Sequence, residues 1–208
     1  MPADPAEPAE LGALRRLAAA GFQVAPLRVV PDAAEETFYR LNNLPAQLSA
    51  LFSGLDLGDP DEDDLEERAP AAERLVRAHF LLDEFVDVFY AGLAGLPAQL
   101  RVRRCYPPGS YTPSPHRAGG VTGRVVSRGR PALLALKETW ADDWSFGALW
   151  ARTTTQGNVA LAAQPVLLTL AVQESVEDAE TARAEALLGA RVKLLADLTL
   201  GLTGVRFL

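Results

Sequence analysis

The stretch VTGRVVSRGRPALLALKETWADDWSFGALWARTTTQGNVALAAQPVLLTLAV, residues 121–172, decides how the chain is read as a fold. After Leu100 the apolar period changes from helical to alternating, and short punctuations divide this stretch into apolar runs. Residues 121–127 form the first expected strand, which turns at Arg128-Gly129-Arg130 into a second over 132–140. Asp142-Asp143 then leads to a third over 145–154, and Gly157-Asn158 opens a last segment to Val172 that Gln164-Pro165 divides. Consecutive strands joined by short turns make an antiparallel meander.

Downstream, Ser175 reads as a helix N-cap with Asp178 three residues on, and Glu177, Asp178 and Glu180 suit the positive end of a helix dipole. Val176, Ala179, Ala186, Leu187, Ala190, Leu194 and Leu198 follow at three- and four-residue spacing, which predicts a helix to about Leu200 that stops at Gly201. Such an amphipathic helix packs most simply across one face of the meander.

Upstream, Leu11, Leu14, Leu17 and Ala18 predict a first helix closed by Gly21, and residues 22–30 a short strand. Asp32 and Glu35 form a capping-box pattern ahead of Phe38, Leu41 and Leu44, and Pro45 restarts the helix. The run DLGDPDEDDLEE, residues 56–67, reads as a charged loop before a long helix over 70–93. LPAQL occurs at 44–48 and again at 96–100, each copy preceded by Phe-Tyr, an echo that suggests a duplicated helix-turn unit. The expected fold class is α+β: a helical N-terminal half (1–98), then an antiparallel sheet with a long C-terminal helix (99–208), in one continuous globular body.

Composition supports folding: of 208 residues 49% are hydrophobic and 23% charged, too apolar for a wholly disordered chain. The net charge of -7 argues against a pervasively cationic DNA-coating protein. One Cys and two His exclude a disulfide framework and any zinc site built without carboxylates. The N-terminus MPADPAEPAE lacks the pattern of a secretory signal, and no apolar run reaches the roughly 18 residues of a membrane span, so a soluble cytoplasmic protein is expected.

The total charge conceals a segregation. Residues 32–87 hold 15 acids against four Arg, whereas 88–137 hold no acid and eight cations. No phosphate-binding loop, dinucleotide fingerprint, nucleophile elbow or HExxH pattern is present. His79-Phe80-Leu81-Leu82-Asp83-Glu84 imitates a Walker B strand but has no P-loop to serve, and reads as a solvated helix face. Cys105 and His116 flank one loop among arginines, yet nothing supplies an orienting third group, so Cys105 is expected to pack as a small hydrophobe. Counted from Asp59, the acidic run lacks the glycine and the terminal glutamate of a calcium loop. Trp140, Trp144 and Trp150 are expected as cross-strand core.

The basic segment is the strongest functional feature. Arg101, Arg103 and Arg104 precede the Pro/Gly-rich residues 107–120, which contain Tyr111, His116 and Arg117, with Tyr106 just ahead; Arg124, Arg128 and Arg130 line the following hairpin. Arginine forks grip phosphate or carboxylate, and aromatic rings stack bases. The expectation is a non-enzymatic assembly or adaptor protein, without metal or cofactor, that docks a protein partner or a second copy through these residues. The alternative is nucleic-acid binding through the same Arg and Tyr residues. A third possibility is that the basic segment pairs with the chain's own acidic residues 56–67.

Overall fold

The chain enters the first helix, α1 (Ala9–Ala19), from Pro8 and buries Ala13, Leu14 and Leu17; Leu14 and Leu17 belong to the expected stripe, whereas Leu11 is half-buried and Ala18 exposed. The computed structural model describes residues 8–105, 123–172, 174–176 and 178–208. A short strand β1 (Arg28–Val30) lies where one is expected, and α2 (Asp32–Leu41) follows at once. Pro31 rather than Asp32 flanks that helix, leaving the acids in its first turn, where they favour the dipole. Asn43, with φ 51°, breaks the chain before α3 (Leu44–Leu51), so Pro45 sits in the first turn of a new helix, as expected.

The acidic run is not wholly a loop. Asp61 accepts from the backbone N–H groups of Asp63 (2.9 Å) and Asp64 (3.3 Å) and so caps α4 (Glu62–Ala78), whose first turn carries three acids. Leu65, Ala69, Ala72 and Val76 form its buried stripe. The single helix expected over 70–93 is broken at 79–82, and α5 (Asp83–Gly92) starts anew. The Lys137 ammonium donates to the Arg77 (2.7 Å) and His79 carbonyls, closing α4 from a distant element that local pattern does not reveal.

The meander is corrected more deeply. Its first run is strand β3 (Arg124–Ser127), paired with β2 (Gln99–Arg104), and its last is β4 (Val166–Leu170). The middle runs are helices, α6 (Arg130–Asp142) and α7 (Phe146–Gln156). Pro131 lies in the first turn of α6, and Ala132, Ala135, Leu136, Thr139 and Trp140 recur at helical spacing. The four-stranded sheet has order β1-β4-β2-β3 with every pair antiparallel.

The long C-terminal helix is overturned as well. After strand β5 (Glu174–Ser175), α8 (Asp178–Leu188) ends at Gly189, and the chain closes as the antiparallel hairpin β6 (Val192–Asp197) and β7 (Gly201–Phe207). Val192, Leu194 and Ala196 alternate into the core, while Leu198, expected on an apolar helix face, is 83% exposed. A mixed helix and sheet protein with antiparallel sheets remains; its last elements are strands.

Among the described residues, two apolar cores result. The larger lies between helices α2 to α7 and the four-stranded sheet, with Trp140, Leu136 and Leu100 fully buried. The smaller joins α1 and α8 to the β6–β7 hairpin. A parallel bridge between Val24 and Leu202 fixes the hairpin to the N-terminal segment. At the same place Gly201 (φ 98°) passes so close that a Cβ would lie 2.4 Å from the Gln23 carbonyl oxygen. The LPAQL echo adopts two structures, helix at 44–48 and coil entering β2 at 96–100.

Candidate functional site

The strand β2 carries Arg101, Arg103 and Arg104 inward rather than onto a free surface. Arg103 is fully buried and grips Glu10 of α1 with both terminal nitrogens, Nη1 to Oε2 at 2.8 Å and Nη2 to Oε1 at 2.6 Å. Glu10 Oε1 also accepts from the Val205 amide (3.2 Å), so one ion pair joins β2, α1 and β7. Arg104 holds Glu35 through Nη1 (2.8 Å) and Nη2 (2.7 Å), and also reaches Asp143 and the Gln164 carbonyl. Burial opposes the Arg104 charge, but Asp143 and Glu35 outweigh it and raise its pKa above the ordinary arginine value. Burial pushes the Glu35 carboxyl above the usual range, with Arg104 acting against that shift.

The remaining cations are engaged more loosely. Arg101 Nη2 donates to the Ala171 carbonyl (2.9 Å), and Arg124 makes a two-pronged pair with Asp142. Arg128 is exposed but reaches the Leu96 carbonyl (2.6 Å); Arg130 is exposed at the start of α6. Tyr106, Tyr111, His116 and Arg117 lie outside the described residues. Among the described residues, the carboxylates that Arg103, Arg104 and Arg124 are seen to hold are Glu10, Glu35, Asp142 and Asp143, outside residues 56–67.

Cys105 is buried, and burial with the nearby Glu10 charge pushes its thiol up to about 12, which leaves almost no thiolate at neutral pH. His79 is held between the Leu75 carbonyl (2.6 Å from Nδ1) and the Gln47 side chain (3.3 Å from Nε2). Among the described residues, no group of three or more His, Cys, Asp or Glu is placed to hold a metal ion. Nor is any helix among them long and apolar enough to cross a membrane.

Two concavities flank α2. The first, about 340 Å³, lies between Ala34, Thr37 and Leu41 of α2 and Phe80, Leu82 and Phe85, where α4 gives way to α5. Its rim is unusually apolar: Phe80 is 86% exposed, Leu41 55% and Leu82 49%. The exposed acids Glu36, Asp83, Glu84 and Asp87 lie on the same two helices, α2 also carries the exposed Arg40, and the Lys137 ammonium sits at the His79 carbonyl, one residue from Phe80. The continuous helix expected over 70–93 would carry Phe80 and Leu82 within it. The helix break turns them outward, and the Leu82-Asp83-Glu84 boundary, apolar then acidic, is the signal that marks a new helix start.

The second concavity, about 560 Å³, opens on the other side, where Tyr39 replaces its neighbour Phe38 as the wall residue. Trp144 stands between Tyr39 and Phe52, with ring centroids 6.5 and 6.1 Å away and planes inclined by only 27° and 22°. Its indole N–H donates to the Tyr39 hydroxyl (2.6 Å), and the Arg152 guanidinium lies 5.0 Å from its ring. Trp140 packs against Phe38 and Phe85 instead, so two of the three tryptophans are core, as expected, although they lie on or beside helices rather than across strands.

No protein-family model matches the chain, and no curated protein matches it in sequence.

Proposed function

We propose that the chain acts by binding, as a cytoplasmic assembly or adaptor component without catalysis. Its docking surface is the apolar groove between α2 and the start of α5, and its partner presents a basic amphipathic segment. The exposure of Phe80 on that groove carries the reading: a phenyl ring so open to water, beside Leu41 and Leu82, forms an apolar anchor site. The occupant's charge is inferred from the exposed acids of these two helices, Glu36, Asp83, Glu84 and Asp87, which outnumber the exposed Arg40 and steer a cationic segment toward this side of the molecule.

The expected contact through the Arg-rich hairpin has less support, because the forks of Arg103, Arg104 and Arg124 already hold carboxylates. The same engagement weakens the nucleic-acid alternative, which needs those forks for phosphate. Anisotropy of labelled single-stranded DNA at low salt is therefore expected to stay flat; steep, salt-dependent binding would restore that alternative.

The docking test uses a fluorescent Lys/Leu peptide of helical amphipathic pattern and an isomer of equal charge with the pattern scrambled. The patterned peptide is expected to bind about tenfold more tightly, and Phe80→Asp to remove that preference, a difference of ~1.4 kcal/mol. Equal binding of both peptides, or a preference indifferent to Phe80→Asp, would contradict the reading. Light scattering of the protein alone separates self-association from a foreign partner, since a dimer abolished by Phe80→Asp would make a second copy the occupant.

A further inference from the structure

We infer that the cleft walled by Tyr39, Phe52 and Trp144 is a binding site for a small, neutral, ring-containing apolar molecule with one hydroxyl or carbonyl group. The cleft is distinct from the peptide groove. Phe38 and Tyr39 are adjacent on α2, yet Phe38 lines the groove and Tyr39 the cleft, so the helix separates the two.

The ligand's class follows from the lining. Leu48, Leu57, Val159 and Leu161 complete the apolar wall, and no charged side chain contributes to it. A charged ligand would lose its hydration without a compensating partner there, so a neutral one is selected. The three aligned rings offer the offset and edge contacts that aromatic or fused-ring ligands make best. A volume of about 560 Å³ lies within the usual range of small-molecule sites.

The polar minority is arranged at the mouth. Asn158 holds the rim with both polar atoms: its side-chain nitrogen donates to the Gln156 carbonyl (3.0 Å) and its oxygen accepts from the Ala160 amide (2.9 Å). That Asx turn fixes Val159 and Ala160 against the cleft. Ser53 donates its proton to the Ala50 carbonyl (2.8 Å) and keeps its lone pairs available, while Ser49 stands exposed on the same wall. Two hydroxyls at one edge of an apolar cleft suit a ligand with a single polar group there. Trp144 itself is not available to that group, because its N–H is committed to Tyr39.

The probe is N-phenyl-1-naphthylamine, a neutral fused-ring fluorophore, titrated into the full chain while its emission and the quenching of tryptophan fluorescence are followed. The cleft-filling variants are Ser49→Phe and Ala160→Trp, both at exposed positions, with Leu41→Glu as the control in the other groove. Thermal melting accompanies each to confirm folding. Saturable binding is expected to weaken about tenfold or more in both cleft variants and to persist in Leu41→Glu. The sulfonated anion of the same ring system, 1-anilinonaphthalene-8-sulfonate, is expected to bind about tenfold more weakly than the neutral probe. Absence of saturable binding, retention in the filled variants, loss in Leu41→Glu alone, or equal affinity for the anion would each overturn the inference. Because peptide docking is read at Phe80 and this site at Ser49 and Ala160, either can fail without the other.

Discussion

A guanidinium taken wholly out of water is tolerable only when its donors are met by charge, and Arg103 shows what that requires. Glu10 takes both terminal nitrogens, and the Arg104 and Thr203 carbonyls accept further bonds at 3.0 and 3.3 Å. Truncating one partner leaves an unpaired buried charge, so Glu10→Ala is expected to lower unfolding free energy in urea by about 3–5 kcal/mol. The double variant Glu10→Leu with Arg103→Met is expected to recover most of that loss; a single variant costing under about 1 kcal/mol would show the pair to be solvated. Cys105 gives a pH-dependent counterpart. Its thiol is raised to about 12 by burial and by Glu10, so the folded chain keeps a proton that the unfolded chain releases near pH 8.5. Stability from this group is complete below that pH and is lost as pH rises toward the folded value. Wild type is therefore expected to lose more stability between about pH 9 and 11 than Cys105→Ala does, by up to ~1.4 kcal/mol per unit. Parallel pH profiles for the two proteins would contradict it. Neither fate was legible locally. Leu100 and Val102 alternate into the core, which points Arg101 and Arg103 to the opposite face; that face is covered because Glu10, 93 residues away, lies across it.

At the scale of elements, legibility depended on whether the signal lay within one segment. The early helices were readable because Leu14 and Leu17, or Phe38 and Leu41, repeat inside a single helix and are punctuated by Pro and Gly. The segment over 130–142 carried its own helical pattern, with Pro131 in the first turn and apolar residues three and four apart, but the short apolar runs around it fit a strand equally well. At the C-terminus the spacing through Leu198 imitated a helix across Gly189, whose φ of 69° actually ends α8, so periodicity outran punctuation. The break between α4 and α5 rests on a tertiary contact, the Lys137 cap. Lys137→Met is expected to cost about 1 kcal/mol in thermal or urea unfolding, since the last carbonyls of α4 lose their cationic donor. Gly201→Ala tests the hairpin in the same way. Its φ of 98° and the 2.4 Å approach to the Gln23 carbonyl leave no room for a methyl group, so a loss of about 2 kcal/mol or more is expected in urea unfolding. An unchanged midpoint would mean that the junction between β7 and the N-terminal segment yields freely.

At the scale of the whole molecule, the segregation of charge along the sequence is partly undone in space. The acid-free segment supplies arginines to Glu10, Glu35, Asp142 and Asp143, carboxylates from three other parts of the chain. Among the described residues, the acids of 56–67 make no such pair, and neither do the exposed Glu36 of α2 and Asp83, Glu84 and Asp87 of α5. The proposed docking surface is therefore the apolar groove between α2 and the start of α5 rather than the basic hairpin that the charge pattern of the sequence points to. Hydrogen exchange read by mass spectrometry, with and without the patterned Lys/Leu peptide, tests that shift most directly. Protection is predicted over residues 34–42 and 80–85, where α2 and the start of α5 wall the groove; protection confined to 123–130, the Arg-bearing hairpin, would contradict the account.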